Sequence, residues 1–164
     1  HDWLREHDRK FLLELLVPAT KAQLERLGGD SERYDREVRP DLTLQAIDEF
    51  YAAGIVPDVW KIEGLDRRAD CERMAAKVRS GGRDHVSCVV LGRGADPARV
   101  DHWLRMGAGV PGYIGFAIGR TLWWEGVQGF LNGTLSRIEA AEKIAANYVR
   151  AIDLFVQASR AAVA

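Results

Sequence analysis

"DVWKIEGL", residues 58–65, is the stretch on which the reading of this chain turns. Val59, Trp60, Ile62 and Leu65 make it a buried strand, yet Lys61 stands in the middle of it. An ionised ammonium in apolar surroundings is costly, so it pairs with something or gives up its proton. Glu63 follows two residues later, on the same face of the strand. Two readings are open: a structural ion pair with Glu63 or Glu14, or an amine placed for chemistry.

The same strand-then-helix pattern occurs four times. "KFLLELLVPA" (10–19) is a short apolar run stopped by Pro18, and the polar stretch 20–39 after it has room for a short helical turn and a working loop. "PDLTLQAIDEFYAAG" (40–54) is then a helix, with Pro40 in its first turn, Gly54 at its end, and Leu44, Ile47, Phe50 and Tyr51 on one face. The strand at 58–65 leads into a helix over 66–82, for which Asp66 is the expected N-cap. "HVSCVVLGRGA" (85–95) precedes "DPARVDHWLRMG" (96–107), where Asp96 caps and Pro97 opens the helix. "GYIGFAIGRT" (112–121) precedes "LWWEGVQGFLNG" (122–133) and a long last helix from Ser136, whose spacing to Glu139 is that of a capping box. The opening "HDWLREHDRK" (1–10) is polar and reads as the tail of an earlier helix.

Apolar strands separated by amphipathic helices predict a parallel sheet covered by helices. No GxGxxG follows the first strand, which argues against a dinucleotide-binding sheet. Polar residues sit in or just after strands instead: Glu14, Lys61, Glu63, Arg93 and Arg120. That is the habit of a (βα)8 barrel, whose working residues lie at the C-terminal ends of its strands. A whole barrel takes about 250 residues and eight units, whereas this chain has 164 residues. The expectation is one α/β domain over 1–164, the second half (strands five to eight) of a TIM barrel.

Composition fits a soluble globular protein, with 47% hydrophobic and 29% charged residues. A net charge of -1 provides no field for nucleic acid or an anionic membrane. No apolar run is long enough to span a bilayer, and no signal peptide is visible. Cys71 and Cys88 lack metal-ligand spacing and read as reduced and buried, which points to the cytoplasm.

Four features bear on chemistry. Desolvation and nearby cations lower a strand lysine's pKa and leave a neutral amine that attacks a carbonyl, giving a Schiff base; Lys61 is the candidate. Glu14, the one polar intruder in "FLLELLV", is either a proton shuttle for that step or the counter-ion of a buried base. Glu63 orients Lys61 or balances its charge. Finally, "LGRGAD" and "IGRT" end the third and fourth strands. Glycines let backbone N–H groups approach an anion and arginine binds phosphate through a planar fork, so Gly92, Arg93, Gly94, Gly119 and Arg120 are candidates for a phosphate site. In half-barrel numbering these turns follow strands seven and eight, where such enzymes often hold phosphate.

Together these elements resemble the C-terminal half of a class I, Schiff-base aldolase. The nearest patterns are the tagatose-bisphosphate aldolase group and the aldolase-like domain of myo-inositol catabolism. "FLLELLVPAT" resembles the strand with the acid/base glutamate, here Glu14. "DVWKIEGL" resembles the strand with the Schiff-base lysine, here Lys61, and "GFAIGRTLWW" the last strand with its Gly-Arg phosphate turn, here Gly119 and Arg120. "VVLGRGA" departs from the tagatose type, since Gly92 stands where a serine is usual.

The resemblance implies a cytoplasmic lyase that cleaves a phosphorylated keto sugar or sugar acid and needs neither metal nor organic cofactor. It also implies a partner, either the missing N-terminal half-barrel or a second copy, because four strands leave two open edges. The alternative is an aldolase-like module that binds or senses a sugar phosphate without turnover, since fold does not set function.

Overall fold

Four parallel strands alternate with helices in the computed structural model, which describes residues 1–162. The chain starts with a short helix α1 (Asp2–Glu6) and enters β1 (Leu12–Leu15). Two short helices, α2 (Lys21–Arg26) and α3 (Ser31–Glu37), fill the excursion between β1 and α4 (Arg39–Ala52). Then follow β2 (Val59–Glu63), α5 (Arg68–Arg79), β3 (Ser87–Leu91), α6 (Pro97–Gly107) and β4 (Tyr113–Ala117). The pair α7 (Arg120–Leu131) and α8 (Arg137–Ala161) closes the order.

The sheet runs β1-β2-β3-β4, every neighbour pair parallel. Consecutive strands therefore lie side by side with a helix between them, as the repeated pattern predicts. A doubly wound sheet reverses its order at a switch point, and this one does not. Right-handed crossovers then put the helices on one face. Alternation along the strands agrees: Trp60, Ile62, Cys88 and Val90 are buried with Cys71 and Met74 of α5 and Val100 and Leu104 of α6. Trp60 packs edge-on against Phe50 and Tyr51 of α4 at 5.6 and 5.9 Å.

The other face carries one row across the strands: Glu14, Lys61, Val89 and Gly115 are register partners in turn. Leu12 is 50% exposed and Leu16 55%, so the β1 side of this face is open among the described residues.

Most helix starts follow the sequence. Asp96 accepts the Arg99 N–H at 3.0 Å with Pro97 opening α6, and Ser136 and Glu139 close a capping box at the head of α8. Asp66 departs from expectation. The N-cap of α5 is Arg67, and no side chain caps it. The Asp66 carboxylate instead accepts from Trp103 Nε1 at 2.7 Å and Arg99 Nη2 at 2.9 Å. Two donors of α6, one of them a guanidinium, thus occupy the carboxylate in place of the backbone N–H groups of α5.

This contact draws Trp103 over Gly64. A Cβ at position 64 would lie 2.1 Å from Trp103 Cδ2. Gly64→Ala must move a buried indole, and overpacking of this kind costs ~1–3 kcal/mol or more. Urea unfolding is expected to show a loss at or above the top of that range.

Cys71 and Cys88 are free and buried, and burial pushes both thiols up to about 12. Among the described residues no helix is long and apolar enough to cross a membrane.

Candidate functional site

Because the strands are parallel, their C-terminal ends gather at one end of the sheet. Glu63, the Gly92–Gly94 turn and the Gly119–Arg120 turn are all there. Lys61 and Glu14 lie one pleat deeper on the open face.

Lys61 and Glu14 are direct register partners, so the ladder itself sets their side chains next to each other. Lys61 Nζ donates to Glu14 Oε2 at 2.8 Å. The Lys61 side chain keeps 19% of its exposure and Glu14 43%, so the pair is less dry than the sequence implies. The reason is the open face: apolar residues in a strand announce burial, but here the cover on that side is absent among the described residues.

Glu63 does not meet Lys61. It is buried, and its Oε2 accepts the Val17 N–H at 2.8 Å. Arg93 Nη1 lies 3.4 Å from Oε1 and Arg39 Nη1 3.8 Å from Oε2. Asp35 completes the cluster. Its two oxygens take both ends of the Arg93 fork at 2.9 and 2.8 Å, and Arg39 Nε stands 3.1 Å away. Two carboxylates thus face two guanidiniums, which is how buried charge persists. The bond to Asp35 raises the Arg93 pKa further above its ordinary value. Tyr34 donates its hydroxyl to the Val17 carbonyl at 3.0 Å, and burial raises its pKa.

Asp35, Arg39 and Tyr34 escape a reading of the sequence. They lie in or beside the polar stretch 20–39, where no apolar period marks a buried face. The one available signal is the i,i+4 spacing of Asp35 and Arg39.

The two Gly/Arg turns come together in space. A Cβ on Gly94 would sit 2.8 Å from Arg120 Nη2, so the Arg120 guanidinium lies on the neighbouring turn. Ile118 comes within 2.9 Å of a Cβ at position 92, which leaves no room for a side chain there. Gly119 is the N-cap of α7 and Arg120 its first residue, both exposed. Gly94, Ala95, Pro97, Arg120, Thr121, Trp124 and Glu125 line an open depression between α6 and α7, with the Glu125 carboxylate paired to Lys143 at 2.6 Å.

The two arginines part ways. Arg93 takes a left-handed backbone conformation, with φ 53°, and its side chain is engaged by Asp35 and Glu63. Arg120 has no carboxylate partner among the described residues. Nor do three or more His, Cys, Asp or Glu side chains converge among those residues as a metal site would require.

A family profile described as "Uncharacterized protein conserved in bacteria (DUF2090)" matches residues 1–159. The chain belongs to that family. No curated protein matches it. In this DUF2090 chain the matched span takes in all four strands and every residue of the site described above.

Proposed function

We propose that this chain is the catalytic part of a class I aldolase acting on a phosphorylated keto sugar or sugar acid. The observation that carries the reading is the contact of Lys61 Nζ with Glu14 Oε2 at 2.8 Å, on neighbouring strands of an open sheet face. That distance lies within the roughly 2.6–3.2 Å reach of a working general base.

The chemistry follows from the pair. Glu14 takes a proton from the Lys61 ammonium, and the amine attacks the substrate ketone to give a carbinolamine. Glu14 returns the proton to the departing hydroxyl, which leaves as water, and a protonated imine remains. The imine accepts the electron pair of the adjacent carbon–carbon bond as that bond breaks. Glu14, again a carboxylate, takes the proton of the β-hydroxyl as the aldehyde departs and returns it to the enamine carbon; water then hydrolyses the imine to release the ketone and restore Lys61. Backbone N–H groups of Gly92–Gly94 and Gly119, with the Arg120 guanidinium, hold the phosphate. Arg93 serves the site through Asp35 and Glu63.

The unbroken strand order supports a further part of the reading, that these are strands five to eight of a (βα)8 barrel. The covering half is then a preceding half-barrel or a second copy, paired along β1 and β4. Sedimentation of the isolated chain tests this, and a stable monomer with full activity argues against it.

Borohydride reduction in the presence of dihydroxyacetone phosphate tests the chemistry. The expected product is one adduct on Lys61, located by peptide mass spectrometry. Phosphate binding with no adduct favours a sugar-phosphate-sensing module instead. Arg120→Ala is expected to weaken phosphorylated ligands much more than their unphosphorylated analogues in calorimetric titrations. Equal losses for both classes assign Arg120 to the fold.

A further inference from the structure

Strand β1 has four residues and, among the described residues, a neighbour only on its β2 side. Glu14 rides on it, and Lys61 is the one hydrogen-bond partner of its side chain among those residues. What sets the 2.8 Å contact is therefore the main chain of β1. The β1–β2 ladder sets its register, and two carboxylates from the β2 side clamp its two ends. Asp58 Oδ2 accepts the Phe11 N–H at 2.8 Å before the strand. Glu63 Oε2 accepts the Val17 N–H at 2.8 Å after it, while Tyr34 holds the carbonyl of the same residue. Glu14 lies midway between the clamps. A slip of one residue would send it to the opposite face.

The two clamps differ in kind. Asp58 is partly exposed and also meets Lys10 in solvent. Glu63 is 5% exposed; Arg93 donates to its Oε1 at 3.4 Å, and Arg39 stands 3.8 Å from its Oε2 without a hydrogen bond, both arginines being ion-paired with Asp35.

We propose that Glu63 is the positioning residue of the Glu14–Lys61 pair: by holding the Val17 amide it fixes the end of β1 and keeps the Glu14 carboxylate on Lys61. The catalytic meaning of the pair rests on the aldolase reading, whereas the geometric coupling does not.

The test uses the full chain and needs no turnover. The rate at which Lys61 is acetylated by an N-hydroxysuccinimide ester is followed by peptide mass spectrometry. Glu14→Gln is expected to raise it roughly two- to fivefold, the weight of a partly exposed ion pair. Glu63→Ala is expected to raise it by a similar factor, and by nothing further in a Glu14→Gln background. Glu63→Gln, which keeps an oxygen for the Val17 N–H, should stay near the parent rate. Equal increments from Glu63→Ala in both backgrounds overturn the proposal, because Glu63 then acts on Lys61 directly through its charge. A Glu63→Gln rate matching that of Glu63→Ala overturns it as well. Should circular dichroism show that Glu63→Ala does not fold, Glu63→Asp carries the test: it keeps the charge among the arginines but draws the carboxylate back from the Val17 N–H. An unchanged Lys61 rate in that variant also overturns the proposal. A failed aldolase reading looks different, with no borohydride adduct while the acetylation rates still respond.

Discussion

Lys61→Ala and Lys61→Met are expected to abolish the proposed carbon–carbon cleavage and to remove the borohydride-trapped adduct, with the fold retained. The loss is total because the iminium route needs a covalent nucleophile, and no other lysine lies within the strands. The fold survives because Lys61 stands on the open face, away from the core packed around Trp60 and Ile62. Its partner Glu14 is left in contact with solvent rather than buried, so the stability lost with the pair is at most about 1 kcal/mol. Lys61→Met retains the length and apolar stem of the side chain, which separates loss of the amine from loss of packing. Steady-state cleavage assays and the thermal midpoint, measured together, check both halves. Turnover near the parent rate in either variant refutes the Schiff-base assignment.

Glu14→Gln is expected to slow turnover by roughly 10²–10⁴-fold, the usual weight of a positioned acid/base group. Glutamine preserves shape and can still accept a hydrogen bond from Lys61, but it cannot take and return a proton. Affinity for phosphorylated ligands should be retained, because the Gly92–Gly94 and Gly119–Arg120 turns are built on β3 and β4, at the far side of the sheet. Single-turnover kinetics locate the defect: the adduct should form slowly while ligand binding stays fast. An unaffected rate makes Glu14 a counter-ion only.

The same two residues show why part of the site is legible in the sequence. Glu14 and Lys61 each interrupt an apolar run, and a charge in such a run stands out in one dimension. The glycine turns are legible for a similar reason, since Gly beside Arg at a strand end leaves few alternatives. The cluster behind them is not legible. Asp35 and Arg39 are charged residues in a polar segment where charge is unremarkable, and their burial with Glu63 arises only when α3, α4 and β2 meet. Arg93 looks like Arg120 in the sequence, each following a glycine at a strand end, yet one is engaged by Asp35 and the other has no carboxylate partner among the described residues.

What the sequence by itself determined is the order of strands and helices, most of the caps and the parallel α/β class. Those depend on local periodicity and on turn chemistry within a few residues. What only the tertiary structure decided is which charges meet. Asp66 leaves its expected cap for Trp103 and Arg99, Glu63 turns from Lys61 to the Val17 amide, and Glu14 becomes the lysine's partner through the β1–β2 register. The reason is physical: a side-chain charge interacts across space with whatever the packing brings within a few ångströms. Residues 46 to 58 positions apart in the chain, such as Val17 with Glu63 or Asp35 with Arg93, become neighbours only once the sheet has formed.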